Sequence, residues 1–157
     1  MEKITINVPV ESYTYAELTP QRSELVEMAR QYTSNSYAPY SHFRVGAAIR
    51  LDNGVIVCGA NQENVAYPSG TCAERSACFS AGAHFPGVKF RAIAIAARGT
   101  DDLPVDDPCA PCGACRQALL EYEKLAGEPV EVLLVGRDII YRLPSVQSLL
   151  PLAFITF

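Results

Sequence analysis

The sequence has no long apolar run, no basic cluster and no repeat, and each absence removes a class of protein. No stretch approaches the roughly 18 consecutive apolar residues that a membrane span needs, so a membrane protein is not expected. Residues 1–10 (MEKITINVPV) carry Glu2, Asn7 and Pro9 where a secretion signal would have an apolar core, and the chain is expected to act in the cytoplasm. The 13 Lys and Arg are scattered and outnumbered by 17 Asp and Glu, for a net charge of -4. A nucleic-acid polymer is repelled by that balance, which favours a small-molecule partner. Low-complexity tracts and linker-like stretches are missing as well. With 157 residues, 49% of them hydrophobic, the chain reads as a single domain, 1–157, able to bury a core.

What is present is an alternation of helical and strand patterns. Thr19-Pro20 reads as a cap followed by proline at the first helical position. A helix to about Tyr32 would put Leu25, Met28, Ala29 and Tyr32 on one face. A turn-rich loop (36–42) leads to a strand at 43–51. Asp52-Asn53-Gly54 is a hairpin signal, with the partner strand at 55–59. A loop (61–71) precedes a helix near 72–83. Residues 90–97 (FRAIAIAA) are apolar without alternation, as in a strand covered on both faces. An acidic loop (99–108), a helix (111–126), two strands (130–135 and 139–143) and one or two helical turns (145–150) complete the chain. Residues 1–19 read as an irregular or strand-like extension. The fold class is therefore α/β: three α/β/α layers, with a mixed five-stranded sheet and helices on both faces.

Six cysteines in a reducing compartment point to metal or catalysis before disulfides. Cys112 and Cys115 stand three positions apart where a helix should begin. That spacing turns both sulfurs the same way and is a common zinc-chelating one. Free N–H groups and partial positive charge at a helix start favour the thiolate. Cys72, at another helix start, can supply a third sulfur. Three protein ligands leave one tetrahedral position for water, the catalytic arrangement. Glu74, two residues on, can sit beside such a water and move its protons. Three thiolates on Zn²⁺ carry net negative charge, so Arg75 and Arg116, which directly follow motif residues, are expected to donate to the sulfurs. Cys109 repeats the three-residue spacing, but Pro111 separates it from the helical register. Cys58 and Cys78 read as small buried residues, His84 as a helix-end group and His42 as a loop residue.

Six segments together, SYAPYSHFRVGAA (36–48), NQENVAYP (61–68), TCAERSA (71–77), FRAIAIA (90–96), PCGACRQ (111–117) and LLPLAF (149–154), resemble the cytidine deaminase family, specifically its small, homotetrameric, three-cysteine branch. A Cys or His, then x-Glu, then Pro-Cys-x-x-Cys is the pattern of zinc nucleobase deaminases. The resemblance implies hydrolytic deamination of cytidine and deoxycytidine to uridine and deoxyuridine, with ammonia released. It implies one zinc ion per subunit on Cys72, Cys112 and Cys115, with Glu74 as proton shuttle. It further implies that Asn61 and Glu63 hold the sugar, that Tyr67 lies near it, and that Phe43 packs on the nucleoside. Phe154 would reach the base from a neighbouring subunit, so that active sites of a homotetramer are shared. Gln62 departs from the aliphatic residue usual at its position, and residues 1–19 extend beyond the usual small form. Two other readings remain open on the sequence. One is a deaminase of another small cytosine compound, of the blasticidin-S type, which the Asn61–Glu63 pair disfavours. The other is a zinc-stabilised binding module without turnover, its site closed by Cys109.

Overall fold

In the computed structural model, which describes residues 1–156, the chain forms β1 (Glu11–Thr14), α1 (Pro20–Tyr32), β2 (Arg44–Leu51), β3 (Ile56–Ala60), α2 (Ala73–His84), β4 (Phe90–Arg98), α3 (Gly113–Ala126), β5 (Glu131–Val135) and β6 (Ile139–Leu143). Short 3₁₀ turns lie at Tyr15–Glu17, Thr33–Asn35, Tyr67–Ser69 and Val146–Leu149. The sheet order is β1-β6-β5-β4-β2-β3. Only β4 and β5 run parallel; the other neighbours are antiparallel.

The apolar run of β4 is covered on both faces, as its lack of alternation predicts. Ile93 and Ile95 point into a core shared with Ala73, Ala77 and Ala81 of α2 and Leu119 and Leu120 of α3. Ala92, Ala94 and Ala96 point the other way, onto Leu25, Val26 and Ala29 of α1. Small residues set how close the helices lie. A Cβ on Gly46 would come within 2.2 Å of the Ala29 carbonyl oxygen, and one on Gly59 within 2.4 Å of the Ala77 amide nitrogen. The second approach presses α2 onto β3 and so fixes where the start of α2 projects.

The sheet has six strands where five are expected. The sixth is β1, contributed by the N-terminal extension and paired from Glu11↔Arg142 to Thr14↔Ile139. Its attachment is electrostatic as much as backbone. Glu131 receives Arg22 at 2.7 Å and Arg142 at 2.6 Å, and Arg142 reaches on to Glu11 at 2.8 Å. Burial raises the Glu131 carboxyl, but the two guanidiniums outweigh it and hold the group below the ordinary carboxylate range. Tyr15 adds a hydrogen bond from its hydroxyl to the Gly136 carbonyl at 2.7 Å. Residues 1–10 have no regular structure and are exposed. Among the described residues no helix is long and apolar enough to cross a membrane.

Candidate metal centre and substrate cleft

Helices α2 and α3 begin side by side, with Cys72 and Cys112 at their N-cap positions. Neither side chain caps its own helix, so the sulfurs are available to something else. The Cys72 and Cys112 sulfurs are 3.9 Å apart and the Cys112 and Cys115 sulfurs 3.4 Å. All three lie within 4.8 Å of one another and form, among the described residues, a group able to hold a metal ion. Zinc–sulfur bonds of 2.3 Å at tetrahedral angles place sulfurs about 3.8 Å apart, so the trio has the spacing for one such ion. Cys109 is outside the trio. Burial pushes its thiol up to about 11. A fourth protein sulfur closing the site is thus not supported.

Charge at the trio is uneven. A hydrogen bond from Cys115 lowers the Cys72 thiol to about 5 against the opposing effect of burial, with help from Arg75 and Cys112. Cys115 is raised by the same pairing and by burial. Arg75 Nη2 donates to the Cys72 sulfur at 3.8 Å, as its position predicts, while its Nε is buried without a hydrogen-bond partner. An Arg75→Ala variant is expected to lose zinc affinity by about 10- to 100-fold, the usual cost of removing a partner of a metal ligand. Chelator competition measures this, and wild-type affinity would reject a role for Arg75 at the sulfurs.

Arg116 is a correction to the sequence expectation. Its Nε donates to the Pro111 carbonyl and its Nη1 to the Leu149 carbonyl, both at 2.8 Å, in place of a sulfur.

Glu74 stands on the first turn of α2 and is 4% exposed. Burial is the main reason its carboxyl is raised above the ordinary range, and Cys115 lies within hydrogen-bonding reach of it. A carboxyl held above its ordinary range by burial is suited to passing protons.

A cleft of about 480 Å³ opens beside Cys72 and Arg75, walled by Tyr40, Asn61, Glu63 and Tyr67 among others. Glu63 Oε2 accepts the Tyr40 and Ser41 amides at 2.9 and 3.2 Å, and hydrogen bonds from Ser41 and Tyr40 keep its carboxyl low. Oε1 remains as an acceptor. Asn61 Oδ1 accepts from Ser36 Oγ at 2.5 Å and from the Val45 amide at 2.8 Å; its Nδ2 donates to the Phe43 carbonyl at 2.9 Å. That leaves one amide hydrogen to offer. One donor and one acceptor side by side match a hydroxyl group. Tyr67 is 78% exposed and meets Tyr40 edge-on at 6.3 Å.

Phe43 is half-buried and lies outside the cleft wall of the single chain. Phe154 is 65% exposed, its carbonyl accepting from Gln117 Nε2 at 2.8 Å. Ser36, through Asn61, and Tyr40 also shape the cleft; both lie within the segment 36–48. His42 is exposed in the loop with φ 55°, and His84 Nδ1 lies 2.9 Å from the Ser80 carbonyl in the last turn of α2. Cys78 is fully buried and Cys58 half-buried.

Comparison with known proteins agrees with this geometry. A family model described as the cytidine and deoxycytidylate deaminase zinc-binding region matches residues 19–126. The cytidine deaminase of Sporosarcina psychrophila is 38% identical over 132 residues, 83% of this chain and 89% of that protein. The cytidine deaminase of Halalkalibacterium halodurans is 40% identical over 100 residues, 64% of this chain and 70% of that one. The crystal structure of cytidine deaminase from Burkholderia pseudomallei superposes with TM-score 0.71 at 40% identity, covering 87% of this chain and 100% of that one. That from Mycobacterium tuberculosis gives TM-score 0.66 at 32% identity, covering 86% and 98%. The family match spans both cysteine motifs and the cleft between them, and the chain belongs to the cytidine and deoxycytidylate deaminase family.

Proposed function

We propose that the protein is a zinc-dependent hydrolase that converts cytidine and deoxycytidine to uridine and deoxyuridine with release of ammonia. One observation carries the reading: three sulfurs spaced for one metal ion, with a buried, upward-shifted carboxyl on the adjoining helical turn. Each subunit would hold one zinc ion on Cys72, Cys112 and Cys115; when bound, the ion supplies an activated water at neutral pH. Glu74 would take a proton from the attacking water and give it to ring nitrogen N3 as oxygen adds at C4. It would then move the proton of the new C4 hydroxyl to the amine, which leaves as ammonia as the C4–N bond breaks and the C4–O bond becomes a carbonyl. Arg75 moderates the negative charge of the sulfurs from Cys72. Asn61 donates to a sugar hydroxyl and Glu63 accepts from it, with Tyr67 alongside.

Phe43 and Phe154 belong to a second level of this reading. Both lie outside the cleft wall of one chain, and Phe154 presents an exposed ring. In a homotetramer, Phe154 of a neighbouring copy would close over the base and complete the site. We place the reaction in the cytoplasm as a step of pyrimidine salvage, without a polymer or membrane partner.

The test is the loss of cytidine absorbance and the release of ammonia by purified protein, with and without a zinc chelator. Chelator-sensitive turnover of cytidine is expected, with cytidine 5'-monophosphate turned over more slowly because Glu63 places negative charge beside the sugar. No turnover by zinc-loaded protein would end the reading, and a preference for the monophosphate would end the assignment of Glu63.

A further inference from the structure

Arg116 and Gln117 directly follow Cys115 on the first turns of α3. Arg116 donates to the carbonyls of Pro111, one residue before Cys112, and of Leu149. Gln117 donates to the carbonyl of Phe154. Two consecutive side chains therefore hold both ends of the segment 149–154, and one of them also holds the turn that delivers Cys112. Beyond these two, Lys124 donates to the Ile155 carbonyl at 2.9 Å, and Leu149, Leu150 and Ala153 pack against the core. After the 3₁₀ turn Val146–Leu149 the described chain has no helix or strand. Leu152 and Phe154 themselves are 85% and 65% exposed.

We propose that Arg116 and Gln117 are positioning residues that set the register between the cysteine trio and the C-terminal aromatic. The proposal rests on the reading of Phe154 as a base contact and adds to it the device that aims the ring. The two residues divide the task. Arg116 uses its planar fork to serve acceptors on two segments at once, which the single ammonium of a lysine does not reproduce. One of those acceptors adjoins Cys112, the exposed member of the trio; the other anchor of that turn is the longer bond from the Cys109 amide to Val135, at 3.4 Å. Gln117 donates to the tail, at the Phe154 carbonyl.

Zinc-loaded full-length protein carrying Gln117→Ala, Arg116→Ala or Arg116→Lys separates these roles. Three quantities are read: zinc release to a chelator, chymotrypsin cleavage within 150–156, and KM against kcat for cytidine. Gln117→Ala should be cleaved faster and raise KM about three- to tenfold, the effect of one lost hydrogen bond, with kcat little changed and zinc release at the wild-type rate. Arg116→Ala should show the same changes and also release zinc about tenfold faster or more, and Arg116→Lys should not restore both behaviours. A general loss of stability would move all readouts in both variants and would not split them. Wild-type cleavage of Gln117→Ala, or wild-type zinc release from Arg116→Ala, overturns the proposal. Phe154→Ala is the separate control. If it leaves KM unchanged, the base-contact reading fails, and cleavage and zinc release alone then decide whether the clamp exists.

Discussion

Glu74→Gln is expected to remove ammonia release almost completely while leaving zinc and fold in place. The amide is isosteric, so the buried position beside Ala73 and Ala77 accepts it without a cavity. The sulfur trio does not include Glu74, so the metal should stay. What disappears is a group able to hold a proton at one moment and lack it the next. Positioned acid–base groups contribute about 10²- to 10⁴-fold. A carboxyl that makes both proton deliveries, to N3 and to the leaving amine, should lie toward the upper end. Metal analysis and an ammonia assay on the same preparation give the answer. Turnover within about tenfold of wild type in a zinc-replete variant would remove Glu74 from the mechanism, because no acid–base role is that small.

The cysteines were readable because their spacing is a local fact. Cys112 and Cys115 are three apart on a helix start, and Cys72 opens the helix that Gly59 admits against β3. The central strands were equally readable, since FRAIAIAA has no polar alternation and must be covered twice. Strand β1 was only half legible: the extension reads as irregular or strand-like, and nothing in ESYT says which strand it joins. It is held by Arg142, itself tied to Glu131, and both are more than a hundred residues away. Arg116 shows a different failure. Adjacency to Cys115 suggested contact, but the next residue on a helix points about 100° away, and there it meets the Pro111 and Leu149 carbonyls. Arg75, three residues after Cys72, lies on the same side and reaches its sulfur. The network of Ser36, Asn61, Phe43 and Val45 was invisible for the reason the pairing of β1 was: it joins a loop to a strand end through bonds that exist only once both are placed.

A second large effect is expected away from the cysteines, at Glu123. This carboxyl on α3 is 9% exposed and accepts three backbone amides: Val130 at 2.9 Å, Val146 at 2.7 Å and Gln147 at 3.0 Å. It joins the residue before β5 to the first residues of the 3₁₀ turn that leads into the C-terminal segment. Glu123→Ala leaves these amides without their acceptor. Each unsatisfied buried donor costs about 1–3 kcal/mol, and because the three share one cause the total should be roughly 3–5 kcal/mol, at the large end for a single substitution. Glu123→Gln is the sharper variant. It keeps shape and volume, yet Oε1 and Oε2 each face N–H donors, so whichever way the amide turns, an NH₂ group confronts an N–H. A loss of about 2 kcal/mol is therefore expected even from the isostere, read as a lower denaturant midpoint at unchanged slope. A Glu123→Gln protein as stable as wild type would mean that the carboxyl is not holding these amides. In that case the turn at Val146 must be stabilised by the Ser145 cap, the Arg116 bond to Leu149 and the apolar contacts of Val146 and Leu149.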